Sequence, residues 1–66
     1  MARYWKFNVD ACTFERCDQQ TAAEADVPVI LNDGDVRVQI DGKARHWPSG
    51  EPLTVAGVQF DREDYE

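Results

Sequence analysis

The chain has 66 residues, 42% of them hydrophobic and 30% charged, with 13 acids against 7 Lys and Arg and a formal net charge of −6. A length of this order admits one domain, residues 1–66, burying about 60% of its unfolded surface and only marginally stable alone. The acidic balance speaks against direct binding of nucleic acid or an anionic membrane, which both require a basic patch; it fits a basic protein partner, or a surface charged for solubility.

Met1 to Val9 carries Arg3 and Lys6 and lacks the unbroken apolar core of a signal peptide. The longest near-apolar run, Val27 to Leu31, is too short to span a bilayer. A soluble, cytoplasmic monomer needing no cofactor is expected.

Residues 2–9 alternate: Arg3, Trp5, Phe7 and Val9 share one face, and Tyr4, Lys6 and Asn8 the other. Period two with aromatics predicts a strand. Asp10 follows as a helix N-cap candidate. Phe14, Cys17, Thr21 and Ala25 recur three or four apart, which predicts a helical segment over 10–25. Only Phe14 in that stripe is large, so the segment depends on the sheet for stability and has a candidate break near Asp18. Pro28 ends it, because the residue before proline is pushed to extended geometry.

From Val27 to Trp47 two Asp-Gly pairs, Asp33-Gly34 and Asp41-Gly42, separate three β-prone runs. Asp-Gly between such runs is a strong two-residue hairpin signal. Two-residue turns fix the pairing: Leu31 with Val36, Val29 with Val38, Ile40 with Lys43 and Val38 with Arg45. One face then holds Val27, Val29, Leu31, Val36, Val38, Ile40 and Trp47, and the other holds Ile30, Asn32, Asp35, Arg37, Gln39, Ala44 and His46. A bulge at Gly42 would reverse Ala44 and His46.

Residues 48–52 read as a loop. Leu53 to Phe60 reads as a last strand, interrupted at Gly57 by a bulge or close approach. Residues 61–66 read as an acidic tail, disordered or hanging over a sheet edge. The fold class expected is therefore α+β: an N-terminal strand, a short helical segment, then an antiparallel β-meander of three to four strands over 27–60.

Cys12 and Cys17 lie five apart. On one helix that spacing is about 140° of rotation, which cannot meet disulfide geometry. A metal site would need two further soft ligands, and only His46 remains. Two free thiols and no metal are expected. His46 has Ser49 nearby but no motif that links it to a nucleophile and a carboxylate, so it reads as a strand histidine rather than a catalytic one. The four glycines are turn and bulge punctuation, not a phosphate loop. No enzymatic activity is expected.

The acids remain. Asp33, Asp35 and Asp41 sit at or beside the tight turns, with Glu51, Asp61, Glu63 and Asp64 after them. Residues i and i+2 on a strand project alike, roughly 6.6–6.8 Å apart, so carboxylates there form a row with spacing of the order of that between phosphates. These seven are the candidate partner-binding residues, meeting Arg and Lys as phosphate does. Arg37 interrupts the row, and the turns themselves also demand Asp33 and Asp41.

In its small size, its charge, its helical segment at 10–25 before a sheet, and its carboxylates Asp33, Asp35, Asp41, Glu51 and Asp61, the chain resembles the small acidic anti-CRISPR proteins of phages and mobile elements, in particular type I-C inhibitors. The resemblance implies a non-enzymatic, stoichiometric inhibitor that mimics DNA and blocks a CRISPR surveillance complex. A second stretch, Val36 to Lys43 with Trp47-Pro48 and Leu53 to Val58, is similar to the opening hairpin of β-grasp domains, including bacterial ubiquitin-like ones, in which a long helix follows the hairpin. It implies a small protein-interaction module, of ubiquitin-like or toxin–antitoxin type.

Overall fold

Asp33 and Gly34 take φ of 52° and 79°, and Asp41 and Gly42 take 54° and 78°. Paired left-handed conformations are what a two-residue type I′ turn requires, and its twist matches that of the strands it joins. The computed structural model describes residues 1–65. In it these turns join β3 (Pro28–Asn32), β4 (Asp35–Ile40) and β5 (Lys43–His46). Val29 lies opposite Val38, Leu31 opposite Val36, Val38 opposite Arg45 and Ile40 opposite Lys43, the register that the turn spacing predicts, with no bulge at Gly42.

The expected fold class is corrected upstream and downstream of this meander. The helical segment over 10–25 contains a strand instead. β1 (Arg3–Asn8) and β2 (Thr13–Cys17) form a hairpin, and only Gln19–Glu24 is helical (α1). The reversal comes from Asn8. Its side-chain oxygen accepts from the N–H groups of Asp10 at 3.0 Å and Ala11 at 3.2 Å, and its amide nitrogen donates to Glu15 at 3.0 Å. An asparagine carbonyl that bonds its own backbone two residues on makes a turn without help from glycine. The helix N-cap is accordingly Asp18, whose carboxylate accepts from the Thr21 N–H at 2.7 Å, and not Asp10. Phe14, read above as one of a helical stripe, faces Phe7 across the hairpin.

β1 lies inside the sheet, paired on both sides, so the order is β2-β1-β3-β4-β5, five antiparallel strands rather than three or four. The expected last strand is likewise split. Ala56 and Gly57 take φ of 53° and 79°, which closes a further hairpin, β6 (Leu53–Val55) with β7 (Val58–Phe60), in a sheet of its own.

The two sheets share one apolar cluster: Trp5, Phe14, Val29, Val36, Val38, Trp47, Leu53 and Tyr65. Val29, Val36, Val38 and Trp47 are fully buried there. Each such side chain contributes roughly 1.5–3 kcal/mol of burial. α1 rests on β1 and β3, and its Ala22 is buried outside that cluster, so the helix covers the other face of the sheet.

The acidic tail over 61–66 is also corrected for the residues described, Glu66 lying outside them. Arg62–Tyr65 forms a 3-10 turn, and Tyr65 is inserted among Trp5, Phe14 and Trp47 at ring separations of 5.3, 5.5 and 5.6 Å. The acids of this stretch point out, so one aromatic outweighs the charge around it: burying a ring of this kind stabilises more than an exposed charge costs. No helix among the described residues is long and apolar enough to cross a membrane. Nor does a long helix follow the β4–β5 hairpin, as a β-grasp domain would have it; the helix precedes it.

Candidate functional site

Strand direction sorts the seven candidate carboxylates between two ends of the molecule. Asp33 sits in the β3–β4 turn and Asp41 in the β4–β5 turn, at opposite ends of β4. Six residues at roughly 3.3 Å each separate them by about 20 Å. Asp41 therefore stands apart from the rest, beside the ends that carry Asp10 and Asp26.

The other end is knitted together by the C-terminal turn. The Arg62 guanidinium donates to the Gly34 carbonyl at 2.8 Å. The Glu63 carboxylate accepts from the Gly50 N–H at 3.1 Å and from the Ser49 hydroxyl at 3.2 Å. Its own backbone N–H and that of Gly50 hold its pKa below the usual carboxylate range. The Trp47 indole N–H donates to the Glu51 carbonyl at 2.6 Å, which pins that loop to the core. Asp33, Glu51, Asp61 and Asp64 are thus gathered around one end on turns whose backbones are fixed, and all four are exposed.

Asp35 is at the same end but is engaged by two neighbouring side chains at the surface. Its carboxylate accepts from Arg37 Nε at 3.0 Å and meets His46 Nδ1 at 2.6 Å, on the face of β4 and β5 turned away from the core. The Arg37 bond first, and then the His46 bond, lower its pKa. The expected row of carboxylates along β4 is therefore absent: Asp33 is in a turn at positive φ, and Asp35 is neutralised by the next residue of its row. Among the described residues the ion pairs within 4 Å are these two at Asp35. Asp33, Asp41, Glu51, Asp61 and Asp64 enter none.

A carboxylate with a lowered folded pKa contributes stability that is present above its unfolded pKa and is lost as pH falls through the folded value. Asparagine at position 35 removes that contribution. Wild type will therefore exceed Asp35→Asn in urea resistance near neutrality, and the gap will close as pH drops below the ordinary carboxylate range. A gap that is independent of pH would show that the pair does no electrostatic work.

The two thiols are free: Cys12 is exposed in the β1–β2 turn, and Cys17 is half-buried at the end of β2. Desolvation, with the Asp18 charge behind it, raises the Cys17 thiol above its ordinary value and leaves it less nucleophilic. Among the described residues no group of three or more His, Cys, Asp or Glu side chains is placed to hold a metal ion. A shallow depression of about 440 Å³ lies at the Asp41 end, between Lys6, Val9, Glu24, Ala25 and Val55.

What the sequence reading missed here is Arg62, Tyr65 and the Asp35–His46 contact. The last was legible in outline, because the expected register puts Asp35, Arg37 and His46 on one face. Arg62 and Tyr65 carry no local signal; the partner of one lies 28 residues away, and those of the other are on β1, on β2 and just past β5. Comparison of the chain with protein-family models, with curated proteins and with solved structures finds no match to any of the three.

Proposed function

We propose that the chain is a non-enzymatic inhibitor that binds a basic protein surface through Asp33, Glu51, Asp61 and Asp64, where that surface otherwise holds the phosphates of DNA. The reading rests on one observation: four exposed carboxylates at one end of the molecule enter none of the ion pairs within 4 Å among the described residues and sit on turns tied to the core, with Arg62 the cation held in their midst. A fixed array of unpaired anions offers charge-assisted bonds to Arg and Lys at little ordering cost. The host nucleic-acid complex follows from the resemblance to type I-C anti-CRISPR proteins, and so does a cytoplasmic site of action.

The experiment is a competition. A purified type I-C surveillance complex is loaded with labelled target DNA, and the protein is titrated in. DNA binding is expected to fall to zero at stoichiometric protein. Retention of all the DNA at a hundredfold excess would refute this target, and a capture screen against other basic nucleic-acid-binding proteins would then replace it.

A further inference from the structure

β5 is the last strand of its sheet, and every residue in it is exposed. Its free side has a definite chemistry. The Trp47 N–H donates to the Val36 carbonyl at 2.8 Å, and these residues stand directly opposite in the continued β4–β5 register. In an antiparallel ladder the directly bonded pairs alternate with unbonded ones. Lys43 and Arg45, in step with Trp47, therefore turn their backbone groups inward to β4. Ala44 and His46 turn theirs outward, which leaves two N–H donors and two carbonyl acceptors in line along the edge.

The side chains on this edge run against the charge of the whole. Lys43 and Arg45 project from the core-side face, both exposed, in a chain of net charge −6. Among the described residues neither is in an ion pair. The carboxylates near this strand are Asp35, which is held by Arg37 and His46 on the opposite face, and Asp41 in the turn. On that opposite face Ala44 presents only a methyl group beside Gln39, so the surface there has room for a larger side chain.

We propose that β5 accepts an extended acidic segment of a partner protein as a sixth antiparallel strand. The Ala44 and His46 backbones supply the bonds. Partner acids at two alternate positions stand opposite Lys43 and Arg45, where cross-strand opposite charges attract. A β-branched or aromatic residue between them covers Ala44. A second copy does not fit, because antiparallel pairing of β5 with itself sets Lys43 and Arg45 against each other. This surface is separate from the acidic end, and its success or failure does not depend on that reading.

A lysine on an edge strand also serves simply to prevent pairing, and the experiment separates the two roles. The probe is a blocked hexapeptide alternating glutamate with valine; the control alternates lysine with valine. With the glutamate peptide bound, amide exchange at Ala44 and His46 is expected to slow at least tenfold while that at Lys43 and Arg45 stays as it was. Ala44→Pro removes an outward N–H without touching a bond to β4, a place where edge strands tolerate proline, and is expected to weaken binding at least tenfold. The Lys43→Glu, Arg45→Glu pair is expected to do the same with the backbone unaltered. No binding at millimolar peptide, equal binding of the lysine peptide, or binding without protection of the Ala44 and His46 amides would overturn the proposal.

Discussion

Replacing Tyr65 by alanine is expected to remove about 3–5 kcal/mol of stability at 25 °C, a large part of the total. The residue stands next to the end of the chain, in a stretch otherwise made of Asp, Arg and Glu, and its ring is 8% exposed. It meets Trp5 edge-on, Phe14 edge-on and Trp47 at a tilt, and Phe14 in turn touches Phe60 at 4.9 Å. Truncating a buried aromatic costs about 3–5 kcal/mol. A chain of this length is stable by roughly 3–10 kcal/mol in total. Removal of one ring therefore takes away a large part of the margin, and with it the two ties, Arg62 to Gly34 and Glu63 to Ser49 and Gly50, that the docked turn supports. Tyr65→Phe keeps the ring and is expected to keep the fold. The two variants also separate in alkali. Burial, reinforced by the Asp64 charge, raises the Tyr65 pKa. A raised folded pKa means stability that is complete below the ordinary tyrosine value and lost as pH rises through the folded one. Wild type should weaken there and Tyr65→Phe should weaken less. Urea melts of the three proteins check both points; a Tyr65→Ala cost under 1 kcal/mol would mean that the C-terminal turn is not part of the core.

The largest effect on binding is expected from reversing the charge at one end only. Asp33→Lys, Glu51→Lys and Asp64→Lys together bring the formal net charge from −6 to 0. So do Asp10→Lys, Asp26→Lys and Asp41→Lys at the opposite end of the sheet. The pair of triple variants thus holds net charge constant and moves only its location. An interfacial charge replaced by its opposite loses an attraction and gains a repulsion, about 1.4 kcal/mol or tenfold per site even when partly solvated. The first triple is expected to weaken inhibition about a thousandfold. The second acts only through the long-range field, and its expected loss is about tenfold. All six positions are exposed, and each triple places one lysine at a positive-φ turn position, Asp33 or Asp41, so that the strain is matched between the two variants. Equal losses in the two would assign the effect to bulk charge and not to a site.

The meander was legible because glycine at a required positive φ and period-two burial speak in the same few residues; Asp33-Gly34 and Asp41-Gly42 state both turn and register. The β1–β2 hairpin was not, for a physical reason. Its turn residue Cys12 takes φ of 53° without glycine, and the turn is closed by the Asn8 side chain. In five residues, Thr13 to Cys17, one aromatic fits helical and strand spacing equally. Only pairing with β1, a tertiary fact, decides between them. The Ala56-Gly57 turn was half visible as an interruption. At the candidate site, the types and number of the carboxylates were readable but not their neighbours. Arg37 and His46 silence Asp35, and strand direction carries Asp41 to the far end. Asp33, Glu51 and the outward acids of the C-terminal turn come together only because Tyr65 docks.

The most direct test is the affinity of the protein for the purified type I-C complex, measured by calorimetry from 50 to 300 mM salt. Bonds between unpaired surface carboxylates and basic side chains are screened over a Debye length that shrinks from about 10 Å at 0.1 M salt. The dissociation constant is expected to rise by at least a factor of ten across this range, and to stay flat in the Asp33, Glu51 and Asp64 triple variant. Wild-type affinity that is indifferent to salt would contradict this expectation, and would place recognition on apolar surface instead.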